Sequence, residues 1–257
     1  MIAFLSLLLA LGIALSRRSA KDPGKIRRLI REMSLANRLW RAPRIHGELL
    51  KLGIEVAQST VAKYMVRVGG RRPGNPFCTI MRRASAHGLF LIVPTVGFRL
   101  LFVLVILRHE RRRLISLSVT DHPTADRIAR QLTDAFPWDE APDFLIRDRD
   151  GCYGQAVTKR LAAMGIRDHP TARWSPWQNG HAERLIGSIR RECLDHIVVF
   201  GEAHLRRILA AYGGYYNKLR THLSLRNDSP SRRQVQRLGQ LSVQPIVGAL
   251  HHQSCRI

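Results

Sequence analysis

Acidic residues are scarce in this chain of 257 residues. It has 19 Asp and Glu against 42 Lys and Arg, which gives a formal net charge of +23 at pH 7. Such an excess disfavours compaction through self-repulsion unless a polyanion is the usual partner. Because Arg outnumbers Lys and can hold phosphate in a bidentate geometry, the composition favours a nucleic-acid partner. A ribosomal or a membrane-surface protein would have a similar charge.

Cysteine is also scarce, and the sequence lacks any C-x-x-C pair. The four widely spaced residues Cys78, Cys152, Cys193 and Cys255 are typical of free thiols in a reducing compartment. The HHxxC segment at the end of the chain contains possible zinc ligands. Because no second ligand pair accompanies it, the segment favours a polar terminus over a zinc site.

The chain lacks a clean apolar run of membrane-spanning length. The run within the apolar N-terminal segment, residues 1–21, is shorter than the roughly 18 residues that a span needs, and its arginines follow the apolar residues instead of preceding them as in a signal peptide. A packed helix, or a start region that does not belong to the ancestral fold, is favoured over membrane insertion or export for this segment. The run at residues 89–107 is interrupted by Pro94, Gly97 and Arg99. It predicts two buried strands joined by a turn, and we expect no stable membrane partner.

Hydrophobic periodicity predicts a small helical domain at residues 22–68. Three stretches have apolar residues at helical spacing, and a Gly-containing turn joins the last two. This order is typical of a helix-turn-helix DNA-binding domain, although any three-helix packing unit has the same pattern. Ser59, Thr60 and Lys63, on the last helix, are candidate DNA contacts. Residues 69–88, rich in Gly, Pro and Arg, predict a linker.

An α/β domain is predicted to follow at residues 89–227. The order is three strands, a helix, a strand, a helix, a strand and further helices, which predicts a mixed five-stranded sheet with flanking helices. Residues 228–257 are predicted to form a basic C-terminal tail.

Two carboxylates of this domain have the setting of a metal site. Asp148 follows the short apolar run at residues 144–146, and Glu183 lies in the first turns of a predicted helix. Between them are 34 residues, positions 149 to 182. Carboxylates on a strand end and on a distant helix, in a basic chain, favour divalent-metal chemistry on phosphates. Asp150 competes with Asp148 locally, and we interpret it as secondary.

The same region resembles the integrase catalytic core, a retroviral-integrase-like family that includes many bacterial insertion-sequence transposases. The resemblance rests on the acidic strand end, the P-x-Q-N-G-x-x-E element, the 34-residue spacing and the YYN…R-x-H-x-S-L segment. It covers roughly residues 25–257 and is strongest at residues 144–227. It implies an RNase H-like sheet in the α/β domain and a helix-turn-helix domain before it.

The resemblance implies DNA integration and transposition by metal-dependent phosphoryl transfer. In the family three carboxylates hold two Mg²⁺ or Mn²⁺ ions, and Asp148 and Glu183 match the second and third. Arg190 lies seven residues after Glu183, on the same helix face, where it would hold a phosphate. The other residues implied to contact DNA near the metals are Gln178, Asn179 and Arg184. Double-stranded DNA at transposon ends and target, a homo-oligomer and a bacterial cytoplasmic, nucleoid-associated location are also implied.

The first family Asp is missing. Counting back from the Pro-Thr pair places it at Leu89, or at Gly88 or His87 if one residue has been inserted. No Asp or Glu occurs between Glu55 and Glu110. We therefore predict a transposase-like polynucleotidyl transferase with weak or no strand-transfer activity.

Other functions stay open on the sequence. Asp121, at the end of the third strand, is a poor substitute for the missing Asp, because two strand spacings of about 4.8 Å would leave it roughly 10 Å away. The alternative function is a non-catalytic DNA-binding remnant that occupies transposon ends. An RNase H-like nuclease of another kind is disfavoured by the predicted helix-turn-helix domain.

Overall fold

The structure, a computed structural model, describes residues 22–66, 85–137, 140–173 and 176–257. The chain forms two compact units, one of residues 1–71 with 218–257 and the other of residues 72–217. The apolar N-terminal segment and most of the predicted linker lie outside the described residues.

The described residues of the first unit include three helices from the amino-terminal part of the chain. They are α1 (Pro23–Ala36), α2 (Ala42–Lys51) and α3 (Gln58–Tyr64). Asp22 begins α1, since its carboxylate accepts a hydrogen bond from the Gly24 N–H at 2.8 Å, and Pro23 occupies the first turn, where its missing N–H costs nothing. The predicted helical character of this region is confirmed.

The second unit is built on a five-stranded sheet with the order β3-β2-β1-β4-β5. Its strands are β1 (Ser85–Pro94), β2 (Leu100–Arg108), β3 (Leu114–Thr120), β4 (Phe144–Arg147) and β5 (Arg167–Pro170). Strand β2 runs antiparallel to β1 and β3, whereas β1, β4 and β5 are mutually parallel. This arrangement confirms the mixed RNase H-like sheet that the sequence predicts.

The long apolar run forms β1 and β2, which pair antiparallel across a turn. No helix within the described ranges is long and apolar enough to cross a membrane. Strand β1 begins earlier than the run, so residues 85–88 of the predicted linker belong to the sheet. The reason is a parallel pairing in which Ser85 to Gly88 lie opposite Phe144 to Arg147.

In the described part of the second unit, four α-helices cover the sheet. They are α4 (Ala125–Ala135), α5 (Gln155–Ala163), α6 (Gly180–Glu192) and α7 (Glu202–Lys218). Apolar side chains of α4 and α5 share one buried cluster with β2 and β4: Leu104, Ile106, Ile128, Leu132, Leu145, Val157 and Leu161. Helix α6 contacts β1 and β2, and its buried residues, Ala182, Leu185 and Ile189, are not members of that cluster.

The predicted basic tail contains an antiparallel hairpin of β6 (Leu241–Ile246) and β7 (His251–Arg256). This hairpin belongs to the first unit. The Trp40 indole N–H bonds to His251 Nδ1 at 3.0 Å, and the His252 N–H donates to Asn37 Oδ1 at 2.7 Å. The tail is therefore packed against the amino-terminal helices.

Candidate active site

Arg147, the last residue of β4, anchors the chain where the predicted site begins. Its guanidinium donates Nε and Nη2 to the two carboxylate oxygens of Asp168, at 2.8 and 2.7 Å, and Nη1 to the Asp148 carbonyl at 3.1 Å. The same guanidinium lies 4.9 Å from the centroid of the Tyr153 ring. A bidentate pair with a stacked ring fixes this strand end. Nothing in the local sequence pattern predicted the pair with Asp168.

One oxygen of the Asp148 carboxylate has no hydrogen-bond donor among the described residues. This oxygen, Oδ1, is buried. Burial and the nearby charge of Asp150 raise the pKa of Asp148. Asp150 is exposed and its Oδ1 accepts from the Cys152 N–H at 3.0 Å, which shapes the following turn. Because a buried, unpaired carboxylate oxygen is costly, Asp148 is the better of the two as a cation ligand.

The start of α6 lies beside the end of β4. Asn179, immediately before α6, donates its side-chain amide to the Gly88 carbonyl at 3.3 Å. Gly88 in turn pairs with Arg147 in the sheet, and the short 3-10 helix at Pro176–Asn179 also contacts β4. Glu183 is in the first turn of α6 and is exposed. The fold thus brings the helix start that carries Glu183 to the strand end that carries Asp148.

The residues expected to contact DNA have different environments. Arg184 and Arg190 are exposed on α6. The Gln178 side-chain oxygen accepts from the Ala172 N–H at 2.7 Å. Asn179 is only 2% exposed, so its amide secures β1, a structural role that the sequence did not predict.

The candidates in the first unit lie on α3. Ser59 and Lys63 are exposed and Thr60 is half-buried. The Lys63 ammonium lies 5.5 Å from the centroid of the neighbouring Tyr64 ring. The DNA contacts of all these residues remain predictions.

Leu89 is the residue at which the family resemblance places the first carboxylate. Because Gly88 pairs with Arg147, the next residue on each strand brings Leu89 beside Asp148. Phe90 packs against the α4–α5 side of the sheet, so its neighbour Leu89 faces the other side. Helix α6 covers that side, since its buried residues are absent from the α4–α5 cluster. A carboxylate at Leu89 would therefore lie on the strand next to Asp148 and on the side of Glu183.

The donor set does not fit a two-ion site. Asp148 offers one open oxygen and Glu183 an exposed carboxylate, both of the hard type that Mg²⁺ and Mn²⁺ prefer. However, within the ranges that the structure describes, no three His, Cys, Asp or Glu side chains are grouped to hold a metal ion. The third oxygen donor that the family resemblance requires is missing.

Asp121 does not replace it. Its carboxylate is within 3.4 Å of both Arg99 and Arg127 and within 3.1 Å of His122. Strand β2 separates β3, which Asp121 follows, from β1. Asp121 is thus engaged in ion pairs two strands away from the required position, as the sequence predicts.

Comparison with known proteins gives a family match that covers the end of the second unit and continues into the first. Residues 164–230 match an integrase core domain. The matched range includes Glu183, Arg190 and the YYN segment, and it begins after Asp148. The resemblance to the integrase and transposase family is confirmed over this range, which is less than half of the chain.

One curated relative and several solved structures are also similar. The chain is 33% identical over 94 residues to the insertion element IS407 uncharacterized 31.7 kDa protein of Burkholderia multivorans. That alignment covers 36% of this chain and 31% of the relative, so the chain spans less than a third of the relative's length in the match.

Two solved catalytic domains share low sequence identity with the chain. The catalytic domain of Mos1 mariner transposase is 15% identical with a TM-score of 0.44, covering 51% of this chain and 70% of that one. The HTLV-2 integrase catalytic core domain in complex with magnesium, in its dimeric form, is 12% identical with a TM-score of 0.44, covering 59% and 95%.

Proposed function

We propose that this protein is a DNA-binding member of the transposase and integrase family whose strand-transfer chemistry is impaired. One observation supports this proposal most. The end of the sheet that carries the unpaired Asp148 oxygen and lies beside the Glu183 helix has a leucine at position 89. Two of three expected carboxylates are present at one end of the sheet. The third is replaced by a side chain that cannot bind a cation.

The retained residues have separable roles in this proposal. Asp148 and Glu183 would hold a divalent cation, Mg²⁺ or Mn²⁺, which lowers the barrier to phosphoryl transfer when bound. Arg184 and Arg190, exposed on α6, would neutralise phosphates of the DNA strand at that site. The first unit would bind duplex DNA through Ser59, Thr60 and Lys63 on α3, as a helix-turn-helix does.

Several further features belong to the proposal through the motif resemblance. The HTLV-2 integrase core is described with magnesium and as a dimer. For the present protein, a divalent cation, a homo-oligomer that joins two DNA ends, and a cytoplasmic, nucleoid-associated location follow from the motifs that carry the resemblance. The alternative, a non-catalytic protein that occupies transposon ends, is favoured by the same leucine at position 89.

Binding and joining assays on one set of duplexes distinguish the two functions. The duplexes contain the terminal repeats of the element, and binding is measured by electrophoretic mobility shift without metal. Joining is then measured with Mg²⁺ and with Mn²⁺. We expect sequence-selective, salt-sensitive binding with weak or no joining. Robust joining by the unaltered chain would contradict the impairment, and a lack of duplex binding would contradict the whole proposal.

A further inference from the structure

A basic groove lies between α4 and α5 in the second unit. It has a volume of about 490 Å³. Three cationic side chains, one carboxylate and three alanines line it: Arg130, Lys159, Arg160, Asp126, Ala129, Ala156 and Ala163. All three cations are exposed. The groove is therefore open to a large anionic ligand.

Helix periodicity explains why these residues share one surface. On α4 the lining residues are 126, 129 and 130, and on α5 they are 156, 159, 160 and 163. These spacings of three and four residues place each set on one helix face. The apolar residues at 128, 132, 157 and 161 turn to the core instead. Because the alanines have short side chains, they leave space between the charged side chains that line the groove.

The groove cations differ from other arginines of this unit in their partners. Arg127, on the same helix, pairs with Asp121 at 3.4 Å. For Arg130, Lys159 and Arg160, the described residues supply no carboxylate within ion-pair distance. Three cations thus face one carboxylate, Asp126, in one groove. Their mutual repulsion is relieved when a polyanion binds.

We propose that this groove binds the phosphate backbone of a DNA duplex. Guanidinium groups hold phosphates in a bidentate geometry and the lysine adds a point charge, and exposed side chains of this kind position a duplex without reading its sequence. The groove lies on the α4–α5 side of the sheet, whereas α6 with Glu183 covers the other side. The duplex bound here is therefore separate from the strand at the acidic site. This inference rests on the proposed function only for the identity of the polyanion as DNA.

Salt-dependent binding tests the groove in the full chain. The groove variant is the triple substitution Arg130→Gln, Lys159→Gln, Arg160→Gln. The control variant, Arg113→Gln, Arg207→Gln, Lys218→Gln, removes the same number of positive charges from exposed residues outside the groove. The probe is a fluorescent duplex of mixed sequence, and anisotropy gives the affinity at several salt concentrations. Each phosphate contact contributes about 0.9 to the slope of log affinity against log salt. We expect the groove variant to lose about 2–3 from the magnitude of this slope and the control to lose less than about 1.

Removal of a negative charge from the groove is a second test. Asp126→Asn removes the one groove carboxylate and should strengthen duplex binding at low salt. Acetylation of lysines, followed by mass spectrometry, should show that the duplex protects Lys159 but leaves Lys218 reactive. Equal salt-dependence slopes for the two triple variants, or a Lys159 that the duplex does not protect, would contradict DNA binding in the groove. Either result would leave the proposed function intact. A wild-type chain that binds no duplex would contradict the proposed function itself.

Discussion

At the scale of single residues, the site has a buried carboxylate oxygen without a hydrogen-bond partner and a leucine where the family resemblance implies a further carboxylate. Asp148 is fixed by the backbone contact with Arg147, yet its Oδ1 has no hydrogen-bond donor in the described part of the chain. Such an oxygen costs free energy in the metal-free protein and is available to a cation. Leu89 leaves that cation without its expected third carboxylate. These two residues are the basis of our proposal that the site is impaired.

Replacing Asp148 with Asn tests the first half of this account. Burial and Asp150 raise the pKa of Asp148, so the folded value lies above the unfolded one of about 3.9. The ionised group therefore destabilises the metal-free fold as pH rises above the unfolded pKa. We expect Asp148→Asn to stabilise the protein by up to about 1 kcal/mol near pH 7, a gain that disappears at acidic pH. Urea unfolding at several pH values, without metal, measures the gain.

Asp148→Asn also tests whether Asp148 binds a divalent cation. Wild type should show a small rise in melting temperature with Mn²⁺ and Asp148→Asn should show none. Asp150→Asn is the control, because the exposed Asp150 shapes a turn, and it should keep the Mn²⁺ response. A full Mn²⁺ response in Asp148→Asn would exclude Asp148 as a ligand.

At the scale of helices and strands, elements are predictable where their pattern is local. The apolar run at residues 89–107 was predicted as two strands, and Thr124 begins α4 by accepting from the Arg127 N–H. The hairpin β6–β7 was not predicted, because LSVQPI contains a proline, which argues against a strand, and HHQSCR is almost entirely polar. Its stability depends on distant contacts such as the hydrogen bond between Trp40 and His251.

In the candidate site, too, features with a local sequence pattern were predicted and features that depend on distant contacts were not. Asp148 and Glu183 were predicted from a motif with a recognisable residue spacing in the sequence. The bidentate pair of Arg147 with Asp168 results from the pairing of β4 with β5, in which Leu145 lies opposite Asp168. The early start of β1 likewise depends on its pairing with β4. Sheet register between distant segments has no local signal, and these features could not be predicted from the sequence.

Two helical glycines give opposite predictions for the same substitution. A Cβ at Gly47 in α2 would lie 2.6 Å from Thr221 Oγ1, whereas a Cβ at Gly214 in α7 would meet nothing within 4 Å. We expect Gly47→Ala to destabilise the protein by about 1–3 kcal/mol through overpacking. Gly214→Ala should stabilise it by up to about 1 kcal/mol, because Ala favours the helix. Chemical denaturation of both variants measures the difference, and equal effects would contradict the close packing at Gly47.

At the scale of the whole molecule, the first unit is composed of both ends of the described chain. Glu48 of α2 is only 1% exposed at its side chain and pairs with Arg233 at 2.6 Å. Lys51 pairs with Asp228 at the same distance. Residues that the sequence suggested as a tail thus neutralise charges on the amino-terminal helices. Because breaking a buried pair by removing one partner costs about 3–5 kcal/mol, the helices depend on the carboxy-terminal segment.

Removal of residues 241–257 tests the contribution of the hairpin to this dependence, while Asp228 and Arg233 stay in the chain. The truncation takes away the hairpin that covers Trp40 and the Ser254 carbonyl that accepts from Arg233. We expect hydrogen exchange to accelerate throughout α1 and α2, while the amides of β2 in the second unit stay protected. Leu238→Ser, at a residue that is 75% exposed, is the control and should leave both regions unchanged. Unaltered protection of α1 and α2 after truncation would show that the helices fold without the hairpin.

The most direct test of the central claim is metal-dependent strand transfer by Leu89→Asp. Its control is Ile92→Asp, which adds the same carboxylate to the same strand at a residue that is 46% exposed. With Mn²⁺ and duplexes that contain the terminal repeats, we expect Leu89→Asp to exceed wild type by roughly tenfold or more, equivalent to ~1.4 kcal/mol of barrier. Ile92→Asp should remain at the wild-type level. Wild-type joining as efficient as that of Leu89→Asp would contradict the claim that the site lacks its third carboxylate.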